Sequence, residues 1–248
     1  MRIEAGDINL QNFRGDTKTQ ALALYKLICA MYSLPFVLNA PDELLLVTAM
    51  ARFYAALPVL SRYLSNIFPR SLSFLDTMHN KPIELLVATK ELTHPKLFKD
   101  CLLLCFGPWE SPIFLQLQDP QLKRAATHAR NGICHEISRT QERIIHAIGD
   151  DKSRNNLSTA LGSAEVSAAK QVSSSHASNG STYLPCYYRN LLDSTAALLP
   201  QVRYYIKPLL QNQLRLANAT NMDNHECYLF GLTILDEDLP WDQKQTDW

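Results

Sequence analysis

The stretch PDELLLVTAMARFYAALPVLSRYLSNIF, residues 41–68, sets the fold class. A proline at the first helical position loses no hydrogen bond and has its φ already in the helical range. Pro41 therefore starts a helix, and Asp42 and Glu43 follow where a helix N-terminus favours negative charge. Leu45, Val47, Ala49 and Phe53 make this helix apolar over a broad face. Pro58 opens a second helix, VLSRYLSNIF, which ends near Pro69. Two short helices, each announced by a proline, point to a mainly helical chain.

The same punctuation continues in both directions. Upstream, TKTQALALYKLICAMYSL (17–34) carries apolar residues at 22, 24, 25, 27, 28 and 31, close to helical spacing. Thr17 or Thr19 is the expected cap, and Pro35 the expected stop, because a proline pushes its predecessor out of the helical region. Downstream, residues 71–79 read as a short helix and KPIELLVATKEL (81–92) as another, with Pro82 and Glu84 in its first turn. KLFKDCLLLCF (96–106) is strongly apolar and stops at Gly107-Pro108. Residues 119–148 read as one long helix with Asp119 as N-cap, Pro120 as first residue and Gly149 as stop. Gly132 inside it weakens it by about 1 kcal/mol relative to alanine.

The character changes between 149 and 182. GDDKSRNNLSTALGSAEVSAAKQVSSSHASNGS has nine serines and no aromatic residue. Such a segment buries too little apolar surface to offset its ordering entropy, so it is expected as a mobile linker or long loop, with room for a transient helix around 158–171. YLPCYYRNLLDSTAALLPQVRYYIKPLLQNQLRLA (183–217) then reads as two or three helical pieces broken by Pro200 and Pro208. CYLFGLTIL (227–235) is a strand or a buried helix, which periodicity cannot separate at that length.

Composition narrows the function classes. Lys+Arg and Asp+Glu are each 24, giving zero formal net charge. That balance argues against nucleic acid, which calls for a clustered basic footprint, and against general attraction to an anionic membrane. No apolar run approaches the roughly 18 residues of a membrane helix, and the charged start lacks the apolar core of a signal peptide. The chain is expected inside the cell, in cytoplasm or nucleus, with its six cysteines (29, 101, 105, 134, 186 and 227) reduced. The sequons at Asn156, Asn179 and Asn218 are then chance matches.

Candidate sites are few. Cys101 and Cys105 share a helix face and, with His94 or His128, suggest zinc; the LLL between them and Phe106 suit a core face better. Cys134 and His135 are adjacent, so on a helix they diverge by about 100° and form no nucleophile–base pair. Tyr183, Tyr187, Tyr188, Tyr204 and Tyr205 could stack bases, but few positive charges surround them and helix packing explains them more economically. No phosphate-binding glycine loop, zinc-protease motif or nucleophile elbow is present. No catalytic, cofactor-binding or metal-ligating residue is assigned, and no cofactor.

One family resemblance is carried by residues 30–68, AMYSLPFVLNAPDELLLVTAMARFYAALPVLSRYLSNIF. Through Asp42, Glu43, Leu44, Leu45, Ala51, Phe53, Tyr54, Ala56, Leu57, Pro58, Val59, Leu60 and Ser61 it resembles the C-terminal half of a BTB/POZ domain of the fungal type. PIELLVATKELTHPKLFKDCLLLCFGPWESP (82–112) resembles the helical, BACK-like region that follows in such proteins, and LPWDQKQTDW their ending. The resemblance implies a short strand region before two helices, and an N-terminal half that is missing from this chain. It also implies a division into 1–68 (part of a BTB-like domain), 69–148 (helical region), 149–182 (serine-rich linker) and 183–248 (helical segment with tail). The expected function is a non-enzymatic protein–protein interaction module, an adaptor or scaffold, with homo-oligomers only if the missing half is present. The alternative is a truncated or vestigial fragment with a purely structural fold. The tail LDEDLPWDQKQTDW (235–248) is expected to dock Trp241 and Trp248 between helices, or else to expose them as anchors for a partner.

Overall fold

The computed structural model describes residues 16–109, 111–148, 154–174, 183–193, 200–216, 229, 231 and 233–242. Ten α-helices occupy these residues: α1 (Thr17–Met31), α2 (Pro41–Phe53), α3 (Leu57–Ile67), α4 (Leu72–Thr77), α5 (Pro82–Leu92), α6 (Pro95–Leu104), α7 (Pro120–Ile148), α8 (Arg154–Ser174), α9 (Tyr183–Asp193) and α10 (Pro200–Leu210). No strand occurs among them, and the fold is all-α. Short 3₁₀ turns follow α3 and α4, precede α7, and form at Asp236–Asp238.

The helices fall into two packed groups. α1, α2, α3 and α5 pack on one another, with α6 against α5; α7, α8, α9 and α10 form the second group. One continuous apolar core runs through both, from Leu27, Leu44 and Leu60 through Phe98 and Cys101 to Ile137, Tyr188 and Ile206.

Prolines mark the helix starts. Pro41, Pro82, Pro95, Pro120 and Pro200 each stand first in their helices, and Pro58 stands second. Asp119 caps α7, accepting from Gln121 N–H at 2.8 Å and Leu122 N–H at 3.2 Å. The cap of α1 is Asp16, which accepts from Lys18 N–H at 3.1 Å, and not a threonine. Nor does Pro35 stop α1. The helix ends before it, where Ser33 takes φ 57° and Leu34 N–H closes onto Cys29 C=O at 2.8 Å. Ala55 (φ 53°) and Thr93 (φ 43°) end α2 and α5 in the same left-handed way. With eight glycines in the chain, side-chain-bearing residues fill positions that favour glycine.

Three further expectations change. Within 149–182, residues 154–174 are helix rather than loop. Ala160, Ala164 and Ala168 are buried at successive turns, and α8 packs chiefly on α9. Alanine is the best helix former and lets two helix axes approach closely, so a stripe of it buries a helix that lacks bulky apolar residues. Pro208 does not break α10 but lies within its last turns, next to the buried Leu209. In 227–235 the described residues are neither strand nor helix. There the backbone of Gly231 runs so close to Pro208 and Leu209 that a Cβ would overlap their backbone.

The C-terminal segment is held by three consecutive residues of α6. Trp241 meets Phe98 edge to face with ring centroids 5.0 Å apart. Lys99 pairs with Asp236 at 2.7 Å. Asp100, fully buried, accepts from the backbone N–H groups of Arg215 at 2.7 Å and Leu216 at 2.8 Å. Of the tail's acids, Asp236 is thus tied to α6, and Asp238 lies 3.4 Å from His128 of α7. Trp248 lies outside the described residues.

Candidate functional site

The surface that stands out is built by α1 and the irregular residues that follow it. α1 is apolar nearly all round, and its inner face is not its bulky one. Ala23, Lys26, Leu27, Cys29 and Ala30 face the core, while Leu22, Tyr25, Ile28 and Met31 face outward. Of the apolar positions read at helical spacing, only 27 is buried. Tyr25 is 58% exposed and Tyr32 73%. Leu34 and Val37 continue the patch beyond the helix, while Phe36 and Leu38 turn inward. Residues 34–39 form neither helix nor strand.

The inward lysine explains why this orientation is stable. Lys26 Nζ meets Glu43 Oε2 at 2.5 Å, and Glu43 also accepts from Asn39 N–H at 2.9 Å. Burial alone would raise the Glu43 pKa; the Lys26 and Asn39 hydrogen bonds outweigh it and hold the carboxyl below its usual range. A buried charge is tolerable when paired and hydrogen-bonded, and removing either partner leaves the other stranded. The pair locks α1 to α2 in the orientation that turns Tyr25 and Ile28 to solvent.

A second apolar corner lies where α2 meets α3. Phe53, expected on the buried face of α2, is 80% exposed and packs edge-on against the exposed Tyr54 at 5.0 Å. The buried set of α2 is Pro41, Leu44, Val47, Thr48 and Ala51, and it leaves out Leu45 and Ala49. Phe53 and Tyr54 join Leu22, Tyr25, Ile28, Met31, Tyr32, Leu34 and Val37 among the exposed large apolar residues.

The other candidates are not brought together. Cys101 and Cys105 are fully buried among leucines, and burial pushes both thiols up, away from the thiolate that binds metal. His94 is occupied: its Nδ1 accepts from Leu97 N–H at 3.2 Å, capping α6, and its Nε2 lies 3.1 Å from Ser65 Oγ. Burial pushes the His94 pKa down to about 4. Because Nδ1 accepts a backbone N–H, the neutral ring carries its proton on Nε2 and donates to Ser65. In that tautomer His94 cannot take a proton from the serine, so sequence-distant Ser65 and His94 form a structural pair rather than a nucleophile and base. Among the described residues, no three His, Cys, Asp or Glu side chains converge as a metal site.

Cys134 and His135 are both exposed on α7. Of the tyrosines, Tyr188 is fully buried, and burial pushes its pKa up to about 12. Tyr205 lies under the Arg143 guanidinium at 4.7 Å, and Tyr204 faces outward. A cleft of about 570 Å³ separates the start of α7 from the tail, between Arg124 and His128 on one side and Glu237 and Leu239 on the other. Among the described residues no helix is long and apolar enough to cross a membrane.

No family model, curated protein or solved structure matches this chain.

Proposed function

We propose that the protein is a non-enzymatic protein–protein interaction module, of the adaptor or scaffold type that the BTB-like residues 30–68 suggest. The observation that carries this reading is the uncovered apolar face of α1. Its side chains Leu22, Tyr25, Ile28 and Met31 point away from the chain's own core, while Ala23, Leu27, Cys29, Ala30 and a paired lysine point into it. Leaving such a face in water forgoes about 25 cal/mol for every Å² that a partner would cover.

The test is affinity capture with the full chain and with a Tyr25→Lys/Tyr32→Lys variant. Both positions are exposed, so the variant should melt at the wild-type temperature. The reading predicts discrete partners held by the wild-type chain through moderate salt, because apolar contacts are little screened, and lost by the variant. Capture that is equal for the two chains, or absent for both, refutes it. Absence for both favours a fragment with a purely structural fold.

A further inference from the structure

We infer that the cleft between the start of α7 and the tail binds a small apolar zwitterion, an α-amino acid or a short peptide with free ends. The site is independent of the α1 face and its occupant. One wall is a face of α7. Gln121, Arg124, Ala125 and His128 follow one another by three, one and three residues, so their side chains share one side of the helix. The other wall is the tail, through Glu237, Asp238, Leu239 and Pro240. At about 570 Å³ the cleft lies within the roughly 300–1,000 Å³ of small-molecule sites.

The tail wall is tied down on three sides. Lys99 of α6 holds Asp236 at 2.7 Å, His128 of α7 lies 3.4 Å from Asp238, and Trp241 packs edge to face on Phe98. The 3₁₀ turn Asp236–Asp238 is itself closed by Asp238, whose carboxylate accepts from Leu235 N–H at 2.9 Å. A cleft whose walls are already in place loses little order when a small molecule enters.

The charges select the ligand by elimination. Asp236 is engaged by Lys99, and Asp238 by Leu235 N–H and His128. Lys123 donates to the Leu115 carbonyl at 3.2 Å, and Arg130 to the Trp109 carbonyl at 2.7 Å. Arg124 on the α7 wall and Glu237 on the tail wall are left over. Among the described residues neither side chain makes a hydrogen bond or an ion pair, although both line the same space. An anion entering it would meet Glu237, and a cation would meet Arg124. A ligand carrying one charge of each sign complements both walls at once. Its carboxylate belongs to Arg124, whose guanidinium can hold it through two parallel N–H bonds, and its ammonium to Glu237. Pro120, Ala125, Leu239 and Pro240 supply the apolar part of the lining and suit an aliphatic body.

The experiment is isothermal titration calorimetry of the full chain with leucine and with leucyl-leucine, each also in its N-acetylated and its C-amidated form. Saturable one-to-one binding of at least one free zwitterion is expected, weakened about tenfold or more by blocking either end. Tighter binding of leucine identifies a free amino acid as the ligand, and tighter binding of leucyl-leucine a peptide. Arg124→Gln should bind the free and amidated forms alike, and Glu237→Gln the free and acetylated forms alike. Both variants should keep the wild-type melting temperature, because both positions are exposed. Each then loses discrimination at one end of the ligand only, which misfolding could not produce. No binding of either zwitterion overturns the site. Binding indifferent to blocked ends, or unchanged in both variants, overturns the assignment to Arg124 and Glu237.

Discussion

Substituting Asp100 should unfasten the C-terminal segment from α6. The carboxylate is fully buried and accepts from Arg215 N–H and Leu216 N–H at 2.7 and 2.8 Å. A hydrogen bond to a charged group contributes about 1.5–3 kcal/mol, and a buried donor left without its acceptor adds its own desolvation penalty. Asp100→Ala removes two such bonds together, and water that enters the space returns part of the loss. The net destabilisation is about 3–5 kcal/mol, a large share of the 5–15 kcal/mol by which a domain is stable. Asp100→Asn keeps an acceptor oxygen without its charge and should lose about half as much. The assay is urea unfolding of the three proteins, with hydrogen exchange read at the amides of residues 215 and 216. Both amides should lose protection in Asp100→Ala before the α2–α3 core does. An Ala variant within 1 kcal/mol of wild type, or unchanged protection at those two amides, would refute the assignment of Asp100 as the anchor.

Two other predictions concern α5 and α6. His94 has its pKa pushed from 6.5 down to about 4 by burial, so the unfolded chain takes up a proton that the folded chain refuses. Its contribution is complete above pH 6.5 and is lost as the pH falls from 6.5 toward 4, by about 3 kcal/mol in all. A His94→Asn variant should show a smaller loss of melting temperature over that window than wild type, and an equal loss would sink the idea. Thr93, a β-branched residue, holds φ 43° at the end of α5. Thr93→Gly should relieve about 1 kcal/mol of strain, read as a higher denaturation midpoint, and a lower midpoint would contradict it.

What the sequence reveals and what it hides follow from the range of the forces involved. Helix starts are legible because they depend on a few adjacent residues: Pro41, Pro82, Pro95 and the Asp119-Pro120 pair all stand where local geometry requires. The orientation of α1 is not legible, because it is decided by a contact across seventeen residues, Lys26 to Glu43. Apolar periodicity finds the bulky stripe of α1 but not which side of the helix meets the core. α8 escapes for a different reason. Its buried stripe is Ala160, Ala164 and Ala168, and a search for bulky apolar residues passes over alanine. Asp100 sits within an apolar run, and its partners lie 115 and 116 residues away, so nothing near it in sequence announces its role. The candidate surface is therefore visible in composition, as an apolar stretch with one charge, and becomes a surface only when packing turns it outward.

The central claim is that the outward face of α1 is covered by protein when the chain is at work. Its most direct test is a photo-cross-linking residue placed at Tyr25 in the full chain in cells, with the exposed Glu165 of α8 as control position. The account predicts discrete intermolecular adducts from position 25 and none from position 165. Equal yields from the two positions, or no intermolecular adduct from position 25, would contradict it.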